Sequence, residues 1–117
     1  MSVAAFAPLT AAAFHLLALL DRYEKDARAV VSHWPDLEVY QQFSERIDRI
    51  QACSASLPGI SVSAVGLLIA HSELVFELWR SRVSAESTGV TRALAEHDEG
   101  IDQVRRACSR QISRHSR

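Results

Sequence analysis

The residues of this sequence that could hold a metal ion are five histidines and fourteen carboxylates. A di-metal site in a helical bundle needs Glu-x-x-His pairs, because residues i and i+3 project from one helix face into one cavity. Leu68 stands three residues before His71, Leu94 stands three residues before His97, and His15 has no ligand at helical spacing. We therefore expect no metal site and no cofactor.

The motifs of nucleophilic catalysis are also missing. The chain has no Gly-x-Ser-x-Gly turn and no His-Glu-x-x-His helix, and its four glycines cannot build a phosphate-binding loop. Glu73 and Glu77 share a helix face, where two like charges are most simply solvated. Cys53 and Cys108 are predicted to pack as small apolar side chains, with a disulfide or a reactive thiol as alternatives. We predict that the protein is not an enzyme.

Two histidines, His71 and His97, lie within apolar arcs of their predicted helices. The simplest interpretation is a partly buried histidine that hydrogen-bonds to a hydroxyl, a carboxylate or a carbonyl group. The alternatives are a pH sensor and a small-ligand pocket. In the pocket, Tyr23 and Trp79 would join His71 and His97.

The elements that position these residues are predicted from apolar spacing. One seam advances in steps of three and four residues through Leu9, Ala13, Leu16, Leu20, Tyr23, Ala27, Val30 and Trp34. This spacing keeps one face of a helix against a partner for about seven turns. No stretch alternates apolar and polar residues with a period of two, so we predict no strand.

Proline, glycine and serine residues mark the predicted helix boundaries. Connections of about two to six residues favour antiparallel neighbours. We predict an all-α, four-helix up-and-down antiparallel bundle, homodimeric and with one domain over 1–117, in which 1–7 is an N-terminal arm and 115–117 a frayed tail. The expected boundaries are helix 1 from near Pro8 to Ser32–Trp34, helix 2 from a cap at Pro35 or Asp36 to Leu57-Pro58-Gly59, helix 3 from a cap at Ser61 or Ser63 to about Ala85, a turn over Glu86–Gly89, and helix 4 from near Val90 or Thr91.

Helix 3 is more apolar than an ordinary surface helix. Its apolar positions span roughly 240° of the helix circumference, against about 100° for a usual amphipathic helix. We predict that part of this arc is an exposed patch that binds a second copy or a client, with Leu68, Val75 and Trp79 in the interface. Deep packing inside the bundle is the alternative. His71, Glu73 and Glu77 make the segment from Val62 to Trp79 too polar for a predicted membrane span.

Helix 4 carries a charged stripe with one residue every four, acidic at one end and basic at the other. The simplest explanation is complementarity to the helix dipole plus an ion pair between Asp102 and Arg106. The alternative is antiparallel pairing of two copies about a two-fold axis. The stripe consists of Asp98, Asp102, Arg106, Arg110 and Arg114.

The net charge of −1 gives no overall attraction to nucleic acid or to a membrane. The first arginine is Arg22, so the N-terminus lacks the basic region of a secretory signal, and we expect a cytoplasmic protein. The segment from Arg105 to Arg117 is rich in arginine but has no interleaved aromatic residues, so we do not expect nucleic-acid binding.

The sequence therefore predicts a non-catalytic bundle that acts through protein contacts as an adaptor, a chaperone-like factor or a regulator. Its layout of two long helices with Trp34 at their junction, followed by a second helical pair, is similar to that of the small helical chaperones of flagellar and type III export. The alternatives are a ligand-binding bundle with a pocket near His71 and His97, and a nucleic-acid-associated factor that uses the arginine-rich tail.

Overall fold

The computed structural model of the chain describes residues 3–82 and 88–115. The prediction of an all-α protein with four helices is confirmed, and no strand occurs within these two ranges. The helices are α1 (Val3–Ser32), α2 (Leu37–Ser54), α3 (Pro58–Ser81) and α4 (Thr88–His115).

The first helix begins earlier than predicted. α1 starts at Val3, and Pro8 lies inside it. A proline removes one backbone donor, and near the end of a long helix the remaining hydrogen bonds maintain the helical path. The start of the second helix was predicted at Pro35 or Asp36, and the structure selects Asp36. The Asp36 Oδ1 atom accepts hydrogen bonds from the backbone N–H groups of Glu38 at 3.0 Å and Val39 at 3.3 Å.

Pro58 and Gly59 begin α3, so the prediction that they end the second helix is wrong. α2 ends at Ser54, and Pro58 occupies the first position of α3. The missing N–H group of proline costs nothing there, because the first backbone donors of a helix have no helical acceptor. The predicted serine caps are consequently also wrong: Ser61 lies within the helix, and its hydroxyl donates to the Pro58 carbonyl at 3.2 Å.

The boundary between α3 and α4 also differs from the prediction. α3 ends at Ser81 instead of near Ala85. Gly89 was assigned to a turn, but it lies inside α4, which begins at Thr88. The other residues of that predicted turn, 86 and 87, lie outside the described ranges. A glycine is permitted in a helix interior at a moderate cost, so its presence alone does not define a turn.

The core is formed by one face of each helix. α1 packs against α2 and α4, and α3 packs against the same two helices. The predicted α1 seam is confirmed, because its members from position 13 to position 30 are buried and those at its two ends are half-buried. The molecule measures 57 × 24 × 17 Å. The largest fully buried side chains include Leu16, Leu20, Tyr23, Phe43, Ile50, Leu67, Leu74 and Ile101.

Candidate functional site

A hydrogen-bonded cluster of Tyr23, His71 and His97 lies at the centre of the core. The Tyr23 hydroxyl oxygen lies 2.7 Å from His71 Nδ1 and 2.6 Å from His97 Nε2. The three residues come from α1, α3 and α4. Tyr23 and His97 are fully buried and His71 is 6% exposed. A hydroxyl group, one of the partners expected from the sequence, therefore binds both histidines.

The single hydroxyl proton determines how the two imidazoles must be protonated. Tyr23 donates to one ring nitrogen and accepts from the N–H group of the other ring. His97 Nδ1 is buried and has no partner among the described residues. Unpaired buried N–H groups are rarer than unpaired acceptors. This favours donation from His97 Nε2–H to Tyr23, and from Tyr23 to His71 Nδ1.

Burial keeps all three side chains of the cluster neutral near pH 7. It lowers the pKa of His71 to about 4, although the Asp48 carboxylate opposes the shift. It also lowers the pKa of His97 to about 4, and the charge that His71 would carry adds to that effect. Burial, helped by Asp26, raises the pKa of the Tyr23 hydroxyl above its ordinary value. The cluster therefore contains neither a phenolate nor an imidazolium ion that could act in neutral solution.

Aromatic packing closes the cluster on the side of α2. The Phe43 ring stacks on Tyr23, with 4.9 Å between the ring centroids and 14° between the planes. The Phe43 centroid also lies 4.3 Å from that of His71. Trp79, which was grouped with these residues, instead contacts Trp34, with 4.7 Å between the centroids. The structure thus joins Tyr23, His71 and His97 and adds Phe43 of α2, which the sequence analysis does not include in this group.

A second candidate site is the outer surface of α3. The exposed fractions of six apolar side chains range from 36% at Leu68 to 80% at Val62. The inner side of the same helix buries Leu67, His71 and Leu74. The wide apolar arc is thus divided between core and surface, as predicted. We call the exposed part the α3 face: Val62, Val65, Leu68, Ile69, Phe76 and Trp79.

The predicted interface residues of α3 occupy different positions in this arrangement. Leu68 and Trp79 belong to the α3 face, whereas Val75 is half-buried and packs against the core. A shallow cavity of about 400 Å³ is lined by Leu68, Ile69, Ser72, Glu73 and Phe76. Sequence reasoning missed that Val62 and Ser72 also lie on the exposed side of α3. The regular spacing of three and four residues between the exposed positions could have found them.

α3 is also long and apolar enough to cross a membrane by length and composition. An 18-residue stretch of this helix has a mean hydropathy of 1.6, and 33% of that stretch is buried. By this criterion the expectation that the segment is too polar is wrong. Core helices of soluble proteins pass the same test, however, and His71 of α3 forms a hydrogen bond to Tyr23 of α1.

The charged stripe of α4 is exposed at all five positions from Asp98 to Arg114. Its ion pairs differ from the predicted one. Asp102 lies 3.6 Å from Arg105, and Arg106 lies 3.8 Å from Glu99. Arg105 is directed toward α1, where its guanidinium group lies 3.0 Å from Asp21. Asp102 pairs with the Arg105 guanidinium group and not with Arg106, so the predicted pair between Asp102 and Arg106 is wrong.

The remaining candidate residues are the cysteines and the metal-binding residue types. Cys53 and Cys108 are both free thiols, half-buried and buried respectively. Burial raises the pKa of the Cys108 thiol to about 11, which makes it a poor nucleophile. Within residues 3–82 and 88–115, no three side chains of His, Cys, Asp or Glu are arranged to hold a metal ion.

Comparisons with known proteins give no match: no family model, no curated protein and no solved structure is similar to this chain.

Proposed function

We propose that this protein acts without catalysis, by binding another protein through the α3 face. The observation that supports the proposal is a row of six large apolar side chains exposed along one helix. Monomeric soluble proteins rarely expose contiguous apolar patches of this extent, because water contact with them is unfavourable. An adaptor, a chaperone-like factor or a regulator would each use such a surface.

The topology that we propose is an up-and-down bundle. Ala12 near the start of α1 accepts a hydrogen bond from Cys53 at the end of α2, with 3.8 Å between carbonyl oxygen and sulfur. Gly59 at the start of α3 lies beside Gln111 near the end of α4. Both contacts fit antiparallel neighbours. In that arrangement the α3 face lies along the outside of the bundle, accessible over its whole length.

The protein is proposed to be a homodimer, which provides a test of the function. We expect light scattering to give a mass of twice the 13.0 kDa chain. Replacing Phe76 with Glu places a charge in the α3 face and should produce a folded monomer. Phe14→Glu is the matched control, because Phe14 of α1 is 57% exposed and Phe76 is 63% exposed.

Circular dichroism of both variants distinguishes loss of the dimer from loss of the fold. We expect both variants to stay folded, since neither exposed side chain is needed for the bundle core. The proposal would be contradicted if the wild-type protein is monomeric at every concentration and the Phe76→Glu variant has the same mass and the same circular dichroism. Equal loss of the dimer in both variants would do the same, because the effect would then not depend on the α3 face.

The two alternative functions remain predictions. The Tyr23–His71–His97 cluster is enclosed by its own helices and by Phe43, and none of the described contacts favours a ligand there. Arg106, Arg110 and Arg114 of the arginine-rich segment are exposed, but exposure alone does not favour nucleic acid over solvent.

A further inference from the structure

We propose that the partner on the α3 face is a second copy of this chain, with its α3 packed antiparallel to the first. This inference rests on the proposed protein-binding function and specifies the partner and its orientation. It is drawn from the row of exposed positions that we call the α3 seam: Val62, Val65, Ile69, Ser72, Phe76 and Trp79.

The spacing of the α3 seam indicates that the partner is a helix. Its members alternate in steps of three and four residues from Val62 to Trp79. This is the heptad pattern by which two helices pack lengthwise, and it runs for roughly 26 Å along α3. The seam of α1 with the same spacing is buried against α2 and α4, whereas the α3 seam is exposed, with Trp79 at its end in contact with Trp34.

The sizes of the seam residues favour an antiparallel second copy. In that orientation Val62 lies opposite the partner's Trp79, and Val65 lies opposite the partner's Phe76. Ile69 then lies opposite the partner's Ser72. Every layer combines a larger with a smaller side chain, so the two helices remain evenly spaced. A parallel pair would place two Trp79 rings together at one end and two Val62 side chains at the other, which would splay the helices.

The residues that flank the seam favour the same orientation. Leu68 and Val75 lie along one edge of the seam, and Gly66, Glu73 and Arg80 lie along the other. In the antiparallel pair Leu68 faces the partner's Val75, and Glu73 faces the partner's Gly66, which leaves the carboxylate hydrated. In a parallel pair Leu68 would face the partner's Glu73, so a charge would be placed against an apolar side chain.

Ser72, the polar member of the seam, is suited to burial. Its hydroxyl donates to the Leu68 carbonyl within the same helix at 3.1 Å, so it would carry no unpaired donor into an interface. Gly66 beside the seam has open space where a Cβ atom would lie. A glycine destabilises an exposed helix interior, but it allows a second helix to approach closely.

The exposed area is sufficient for self-association. The six side chains of the α3 face together expose on the order of 600 Å², against about 800 Å² per partner in a standard interface. Flanking side chains would supply the difference. A lipid surface fits less well, because the exposed carboxylate of Glu73 borders the seam and would be drawn toward hydrocarbon.

Site-directed disulfide cross-linking tests the proposed orientation. In a Cys53→Ala, Cys108→Ala background, one preparation carries Val62→Cys and a second carries Trp79→Cys. The two preparations are mixed, allowed to exchange subunits, and then oxidised. The main cross-linked product should have twice the mass of the 13.0 kDa chain. Either preparation alone should give only background, because identical positions would lie roughly 26 Å apart. Val62→Cys mixed with Phe14→Cys is the matched control.

A second pair, Val65→Cys with Phe76→Cys, keeps the test decisive if Trp79→Cys perturbs the contact with Trp34. Cross-linking of Val62→Cys to itself would overturn the antiparallel orientation and leave the proposed function intact. A dimer that fails to cross-link at both pairs would overturn the use of the α3 seam. A monomer that loses binding to phosphatidylcholine vesicles on Phe76→Glu substitution would identify lipid as the occupant and overturn self-pairing.

Discussion

The two sides of α3 contrast in polarity and in exposure. The inner side contains His71, a polar residue, yet it is buried among apolar side chains. The outer side carries Ile69 and Phe76, which are large and apolar, and both are more than half exposed. Residue type therefore does not decide which side of this helix is inside. What decides it is the neighbouring helices, which supply a hydroxyl partner on one side, whereas on the other side none of the four helices, as far as residues 3–82 and 88–115 describe them, covers Ile69 and Phe76.

Substitution of adjacent leucines is the strongest test of this contrast. Leu67 is fully buried and Leu68 is 36% exposed. We expect Leu67→Ala to lower the free energy of unfolding by about 2–5 kcal/mol, because it leaves a cavity in the core. Leu68→Ala should cost less than about 1 kcal/mol. Urea unfolding of both variants at the same protein concentration measures the difference, and equal losses would remove the distinction between the two sides.

Removal of the Tyr23 hydroxyl tests what the inner side gains from its polar cluster. Tyr23→Phe leaves the bonded nitrogens of His71 and His97 without a partner, so we expect it to destabilise the fold by about 1–3 kcal/mol. Tyr40→Phe is the control, because Tyr40 is half-buried and lies outside the cluster. Thermal unfolding followed by circular dichroism compares the two variants. A smaller effect at Tyr23 than at Tyr40 would mean that the hydrogen bonds add no stability.

Acid should have the smallest effect of the three on the free energy of unfolding, and it acts through the buried histidines. Burial lowers the pKa of His71 and His97 to about 4, below the ordinary value of 6.5. The unfolded chain therefore binds more protons between pH 6.5 and pH 4, and stability falls as the pH is lowered through that window. Each histidine should contribute about 1 kcal/mol per pH unit between pH 6 and pH 5.

The His97→Leu variant isolates one of these two contributions. Its free energy of unfolding, measured in urea at pH 7, 6 and 5, should fall less steeply than that of the wild type. Parallel curves for the two proteins would show that His97 is not the group that takes up protons on unfolding.

Local spacing explains which parts of the fold could be predicted. The α1 seam follows from steps of three and four residues, and the Asp36 cap follows from a carboxylate placed before an apolar run. Pro58 was misassigned because proline marks both the end of one helix and the first position of the next. In the structure Leu57 and Ile60 are buried in the core, and α3 begins at Pro58 between them.

The buried cluster could be predicted only in part. The apolar arcs around His71 and His97 indicated that both were buried and hydrogen-bonded. Tyr23 was placed with them only as a member of a ligand pocket. Its role as their shared hydrogen-bond partner could not be predicted, because it is separated from them by 48 and 74 residues and lies on a different helix. The α3 seam lay within reach of the sequence, since its spacing is regular, but the arc alone did not indicate which of its two sides faces the core.

The hydroxyl of Tyr23 also restricts the rotation of α3 about its own axis. Apolar side chains pack acceptably over a range of helix rotations, whereas a hydrogen bond of 2.7 Å is directional and tolerates little rotation. The hydrogen bonds that one hydroxyl donates to His71 and accepts from His97 therefore restrict how α3 and α4 are turned about their own axes relative to α1. A turn of α3 by one residue would carry Ser72 toward the interior and move His71 out of reach of its partner. One buried oxygen atom thus sets which residues the protein presents to its surroundings.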